Sequence, residues 1–159
     1  MLIKTPLTER IDVKLTNWMS KYGILLLRLS IGVMFLWFGV LKFFPGLSPA
    51  EGIAVKTINI ITFELFSPRT ILIILAVWES IIGIGLITGI YLREILLLLL
   101  LQMLGTFMPL IFFPGEVFTE IPYAPSLEGQ YIIKNIVIVC AAIVIGATVR
   151  GGKLNAEPQ

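Results

Sequence analysis

YGILLLRLSIGVMFLWFGVLKFF, residues 22–44, decides how the rest of the chain is read. At about 1.5 Å per helical residue, this run is long enough to cross a hydrocarbon core of ~30 Å. It nevertheless carries two cations, Arg28 and Lys42. Alternating steps of four and three from Arg28 give Gly32, Phe35, Gly39, Lys42 and Gly46, one stripe down one side of a helix. The other sides are Leu, Ile, Val, Met and Trp. A membrane helix with a single charged, glycine-lined stripe turns it toward protein and not toward lipid.

Working outward, the 159 residues are 57% hydrophobic and 14% charged, with mean hydropathy +0.97. A soluble domain carries about a quarter charged residues, so the composition specifies a polytopic membrane protein with room for one compact domain. Basic residues are dispersed, which gives no nucleic-acid surface. The absence of histidine argues against a His-ligated haem and most transition-metal sites. One cysteine, Cys140, allows no internal dithiol and is expected to be a small core residue. No phosphate-binding loop or GxSxG elbow occurs, so no nucleotide site is expected.

Before the first span, residues 1–21 hold Lys4, Arg10, Lys14 and Lys21, with Ile11, Leu15, Trp18 and Tyr22 at helical spacing. This predicts an amphipathic helix over 8–21 lying on the membrane surface. The apolar run after it is too long for a signal peptide and is read as a retained first span. After that span, Ser48-Pro49-Ala50-Glu51 predicts a helix start: Ser48 as N-cap, Pro49 at the first turn and Glu51 closing a capping box. This helix, about 49–66, is short and polar enough to be interfacial. Further spans are expected at about 69–90, 92–113 and 130–149, with a tight turn at 89–94, a bend at Pro109 and a short polar tail over 150–159. Gly85 and Gly89 form a GxxxG pair suited to close packing. The fold class is therefore an all-α four-helix transmembrane bundle with one extra interfacial amphipathic helix between spans one and two. Lys and Arg predominate in the N-terminal segment, the 89–94 turn and the tail, which predicts cytoplasmic termini.

On a common depth scale Glu79 and Gln102 lie near mid-span, Lys42 near the outer end, Lys134 and Asn135 one turn inside it, and Arg28 one to two turns from the cytoplasmic end. A charge at the bilayer centre costs ~2.5–3.5 kcal/mol on insertion scales, so Glu79 must be paired or neutral. Arg28, Lys42, Glu79, Gln102, Lys134, Asn135 and Trp37 are thus the candidate ligand-binding or intramembrane polar cluster, with no catalytic residue assigned. Each has a plainer reading: snorkelling for Arg28 and Lys42, a structural ion pair of Glu79 with Arg28 or Lys134, an interhelical hydrogen bond for Gln102, capping or headgroup contact for Lys134 and Asn135, and an interfacial anchor for Trp37.

The ordered set Arg28-Leu29-Ser30, Phe35 to Phe43 with Gly39 and Lys42, Ala50-Glu51-Gly52-Ile53, Ser67-Pro68, Glu79, Pro114-Gly115, and Ser126 to Asn135 with Gly129 and Lys134 resembles the DoxX-like family of small four-span bacterial membrane proteins. Within it the chain is most similar to the YkgB/RclC group. The resemblance implies a four-helix bundle in the bacterial inner membrane, a link to oxidative stress and reactive chlorine resistance, and work alongside a membrane redox enzyme. Relatives are linked to quinone or thiol redox systems, and the cofactor is left unassigned. In the first of three functional hypotheses, an accessory subunit of such a system, the candidate ligand is a quinone held among Lys42, Lys134, Asn135 and Trp37 with Glu79 exchanging protons. Two other functions stay open: an assembly or interaction partner, including a homo-oligomer, and a small proton-coupled transporter using Glu79.

Overall fold

The computed structural model describes residues 6–48 and 50–154. Its first helix, α1, runs unbroken over Pro6–Leu41. The surface helix and the first span expected from the sequence are thus one element. The reason is local: between Pro6 and Pro45 there is no further proline, and Gly23, Gly32 and Gly39 cost ~1 kcal/mol each, too little to break the helix. Pro45-Gly46 ends the element, and the last turn tightens through Lys42 N–H to Gly39 O (3.2 Å) and Phe43 N–H to Val40 O (3.1 Å).

Next comes α2, Glu51–Ile61. It is shorter than the expected 49–66 because Phe63 and Glu64 both take left-handed backbone conformations, turning the chain after Thr62. The expected cap is also corrected. Ala50 holds the N-cap position, with φ 57°, and the Glu51 carboxylate accepts from Gly46 N–H at 3.1 Å. Helix formation has shifted two residues past Ser48; Pro49 lies outside the described residues.

α3, Pro68–Thr88, starts as the sequence dictates, with the Ser67 hydroxyl accepting from Thr70 N–H and Pro68 in the first turn. Gly89 closes it at φ +78°, a conformation that favours glycine. After a tight turn, α4 covers Leu92–Phe107, and Pro109 restarts the chain as a single turn, α5, Pro109–Phe112. The stretch before the last span is more structured than a plain loop: α6 is Pro114–Val117, and β1 (Phe118–Glu120) pairs antiparallel with β2 (Ala124–Pro125). α7, Leu127–Thr148, is capped by Ser126, which accepts from Gly129 N–H and donates to Glu116 O at 2.7 Å. Four helical segments are long and apolar enough to cross a membrane: Glu9–Leu41, Pro68–Thr88, Leu92–Phe112 and Leu127–Thr148.

Packing is tightest between the antiparallel α1 and α3, where glycines remove side chains from the contact. A Cβ on Gly83 would sit 2.5 Å from the Leu36 nitrogen, and one on Gly39 would sit 2.9 Å from the Ser80 nitrogen. Gly85 receives the side chain of Ile95 from α4 instead, and Gly89 lies under the Arg28 guanidinium, so the GxxxG pair serves two different neighbours. Ile31, Phe35, Ile82, Leu86, Leu96, Leu99, Ala142 and Ile145 form the main core. A second, smaller core of Ile53, Val117 and Ile132 sits where α2 and the 113–126 segment close the far end of the bundle, opposite the described ends of α1 and α7.

Candidate functional site

Most of the predicted stripe is the buried side of α1: Gly32, Phe35, Gly39 and Lys42 are buried and Arg28 is half-buried, while Gly46, past the end of the helix, is exposed. Lys42 lies just past the last residue of α1. Because Gly39 packs directly against Ser80, α1 ends level with the middle of α3 and not at its start. The Lys42 side chain therefore reaches the mid-span carboxylate. Its Nζ donates to Glu79 Oε2 at 2.6 Å, and Gln102 Nε2 on α4 donates to Glu79 Oε1 at 2.7 Å. Three elements thus converge on one carboxylate, and both of its oxygens are engaged. The side chains of Lys42 and Glu79 each keep only 11% of their surface accessible.

Hydrogen-bonding capacity is left over in and beside this cluster. Lys42 has further N–H donors beyond the one given to Glu79. Gln102 Oε1 and Ser80 Oγ are buried without a hydrogen-bond partner among the described residues. Buried polar atoms are nearly always satisfied, so an acceptor and a hydroxyl left unpaired are notable. Trp78, next to Glu79 in sequence, donates from Nε1 to Leu98 O at 3.3 Å and faces an apolar groove between α3 and α4 lined by Ile73, Ile74, Val77, Ile81 and Leu98. Ser80 and Trp78 escaped the sequence reading; their adjacency to an intramembrane carboxylate was the available signal.

The other expected members lie elsewhere. Arg28 sits against Gly89 at the carboxyl end of α3, with its Nε buried and without a hydrogen-bond partner among the described residues, and does not reach Glu79. The cation that meets Glu79 is Lys42, in place of the Arg28 or Lys134 of the plainer reading. Lys134 is exposed and Asn135 half-buried on α7, and neither makes a side-chain hydrogen bond among the described residues. Trp37 is 66% exposed and points away from the stripe. Cys140 is exposed, not in the core. Hydropathy fixes which segments span but not how each helix is rotated, and these are the residues whose placement depends on rotation. At the far end Lys56 and Glu116 form an exposed ion pair at 2.8 Å, beside a groove of about 770 Å³ that Glu51 and Glu128 also line. Among the described residues no group of three or more His, Cys, Asp or Glu is placed to hold a metal.

What the cluster can do chemically is bounded by its members. It can donate hydrogen bonds from an ammonium and an amide, and it holds a paired carboxylate. It offers no thiol pair and no imidazole. Together fold and site define an all-α membrane protein with four span-capable helices and a Lys–Glu–Gln cluster buried between three of them. The DoxX family model matches residues 23–113, more than half of the chain, and the protein belongs to the DoxX family. Neither curated proteins nor solved structures gave a match.

Proposed function

We propose that this DoxX-family protein is a non-catalytic component of a membrane redox or oxidative-stress defence system, of the YkgB/RclC kind, and that it holds a quinone-like carbonyl ligand at Lys42, Glu79 and Gln102. The observation that carries the reading is the buried cluster with unused capacity. A quinone needs an apolar slot and one or two donors for its carbonyls, and Lys42 Nζ retains donors at a depth where the ring would be surrounded by hydrocarbon. Glu79 orients the Lys42 Nζ through the 2.6 Å contact. Chemistry that moves electrons would have to come from a partner, since the chain's own residues supply no redox centre. Proton-coupled transport fits less well, because both Glu79 oxygens are already occupied.

The bacterial inner membrane, with both termini cytoplasmic, is part of the same reading. Outside the apolar parts of the spans, Arg10, Lys14, Lys21, Arg93, Arg150 and Lys153 lie toward one end of the bundle, against Lys56 and Arg69 toward the other. The test is titration of the purified protein in mild detergent with short-chain quinones, following tryptophan fluorescence, for which Trp78 is the internal reporter. Saturable quenching is expected, weakened at least tenfold in both Lys42→Met and Gln102→Ala and retained in Lys134→Met. Quenching that never saturates, or that survives both cluster substitutions, would remove the quinone site.

A further inference from the structure

The helix α1 is much longer than the span it supplies. At 36 residues it is about 54 Å long, and Arg28 is already level with Gly89 at the end of α3. Beyond Arg28 only Ile24 and Leu27 pack against the main core. The stretch 9–23 stands clear of the bundle, exposed throughout. It is not polar all round. Ile11, Leu15, Trp18, Tyr22 and Leu25 follow each other at steps of four, three, four and three, with exposures of 57%, 52%, 51%, 36% and 41%. That is the alternating seam of a coiled coil, with Leu15 and Tyr22 at a and Ile11, Trp18 and Leu25 at d.

The flanking positions choose the partner. Lys14 and Lys21 fall at g, and Asp12, Met19 and Leu26, also exposed, fall at e. In a parallel, in-register pair each g residue faces the e residue five further along the other chain. The stem of Lys14 then covers the partner's Met19, and that of Lys21 the partner's Leu26, with both ammonium groups reaching water. In an antiparallel pair g faces g, and lysine would oppose lysine. Two copies of one membrane protein inserted the same way project their first helices from the same face in the same direction, which is the arrangement the charges require.

We infer that residues 11–25 of α1 form a parallel two-stranded coiled coil with a second copy of this chain, making the protein a homodimer joined outside the span-forming bundle. Cysteine cross-linking in native membranes tests it, in a Cys140→Ala background that removes the one native thiol. Leu15→Cys lies in the seam and Asn17→Cys on the outer surface of the same turn. Oxidation should give a disulfide-linked dimer with Leu15→Cys at least fivefold more than with Asn17→Cys. In an antiparallel pair the two Leu15→Cys thiols would be too far apart to join. In parallel, the detergent-purified wild type should have the protein mass of two chains and Leu15→Glu the mass of one, at unchanged helicity by circular dichroism. Leu15 touches none of the bundle core, so its loss leaves the fold readable. Equal or absent cross-linking at the two positions, a different protein attached at Leu15→Cys, or a wild-type mass of one chain would each overturn the inference.

Discussion

Glu79→Leu is the sharpest perturbation of the bundle. It removes the carboxylate that Lys42 approaches at 2.6 Å and Gln102 at 2.7 Å. With 11% of its side chain accessible, the Lys42 ammonium has little solvent to fall back on. Breaking a buried ion pair from one side costs about 3–5 kcal/mol, because the surviving charge stays buried. Lys42→Met, breaking the same pair from the other side, should cost a similar amount. If the two residues were independent, the double variant would lose about 6–10 kcal/mol, enough to unfold many domains of this size. The pair should instead be strongly coupled. With both charges gone, the remaining penalty is the Gln102 amide without its acceptor, about 1–3 kcal/mol. Reversible unfolding in mixed micelles, followed by circular dichroism and tryptophan fluorescence, would measure all four proteins of the cycle. A double variant less stable than either single one, or single variants within 0.5 kcal/mol of wild type (roughly the scatter of surface substitutions), would refute the argument that a desolvated pair organises this site.

Other outcomes follow from the same geometry. Gly83→Val should push α1 from α3, since its new Cβ meets Leu36 backbone at 2.5 Å; a loss of at least about 1–3 kcal/mol is expected in the same unfolding assay. Gly105→Ala is the matching control. Nothing lies within 4 Å of a Cβ there, so a gain of up to about 1 kcal/mol is expected from helix propensity. Lys56→Gln removes a pair whose side chains are about half exposed, and its effect should stay within about 1 kcal/mol and shrink further in high salt. Trp37→Phe should leave quinone titration unchanged, because that ring faces away from the cluster.

Some of this was legible in residue order. Four long apolar runs with polar breaks require four helices, because a backbone in hydrocarbon must satisfy its own hydrogen bonds. The stripe from Gly32 to Lys42 announced the side of α1 that faces protein, since small residues and a charge on one face have no use against lipid. Ser67-Pro68 marked a helix start where the structure has it; the last helix begins at Leu127, behind the Ser126 cap, three residues before the expected 130. The family could be read as well, from motifs spread over the whole bundle.

The depth and rotation of those helices were another matter. A first span centred on residues 22–44 puts Lys42 near the outer surface and Arg28 inside. Packing of Gly39 on Ser80 and Gly83 on Leu36 instead slides α1 along α3, so that Lys42 reaches mid-span and Arg28 moves out to the end of α3. Likewise Lys134 and Asn135 stood at a plausible height on α7, and the rotation of that helix keeps them from Glu79. The sequence by itself determined how many segments are apolar enough to span, about where they lie and which face of the first is buried, because those properties depend on local periodicity and on the cost of exposing polar groups to lipid. Only the tertiary structure decided that Lys42, Glu79 and Gln102 meet, because register between helices is set by which glycine lies opposite which backbone, a contact between residues some forty positions apart that no local pattern encodes.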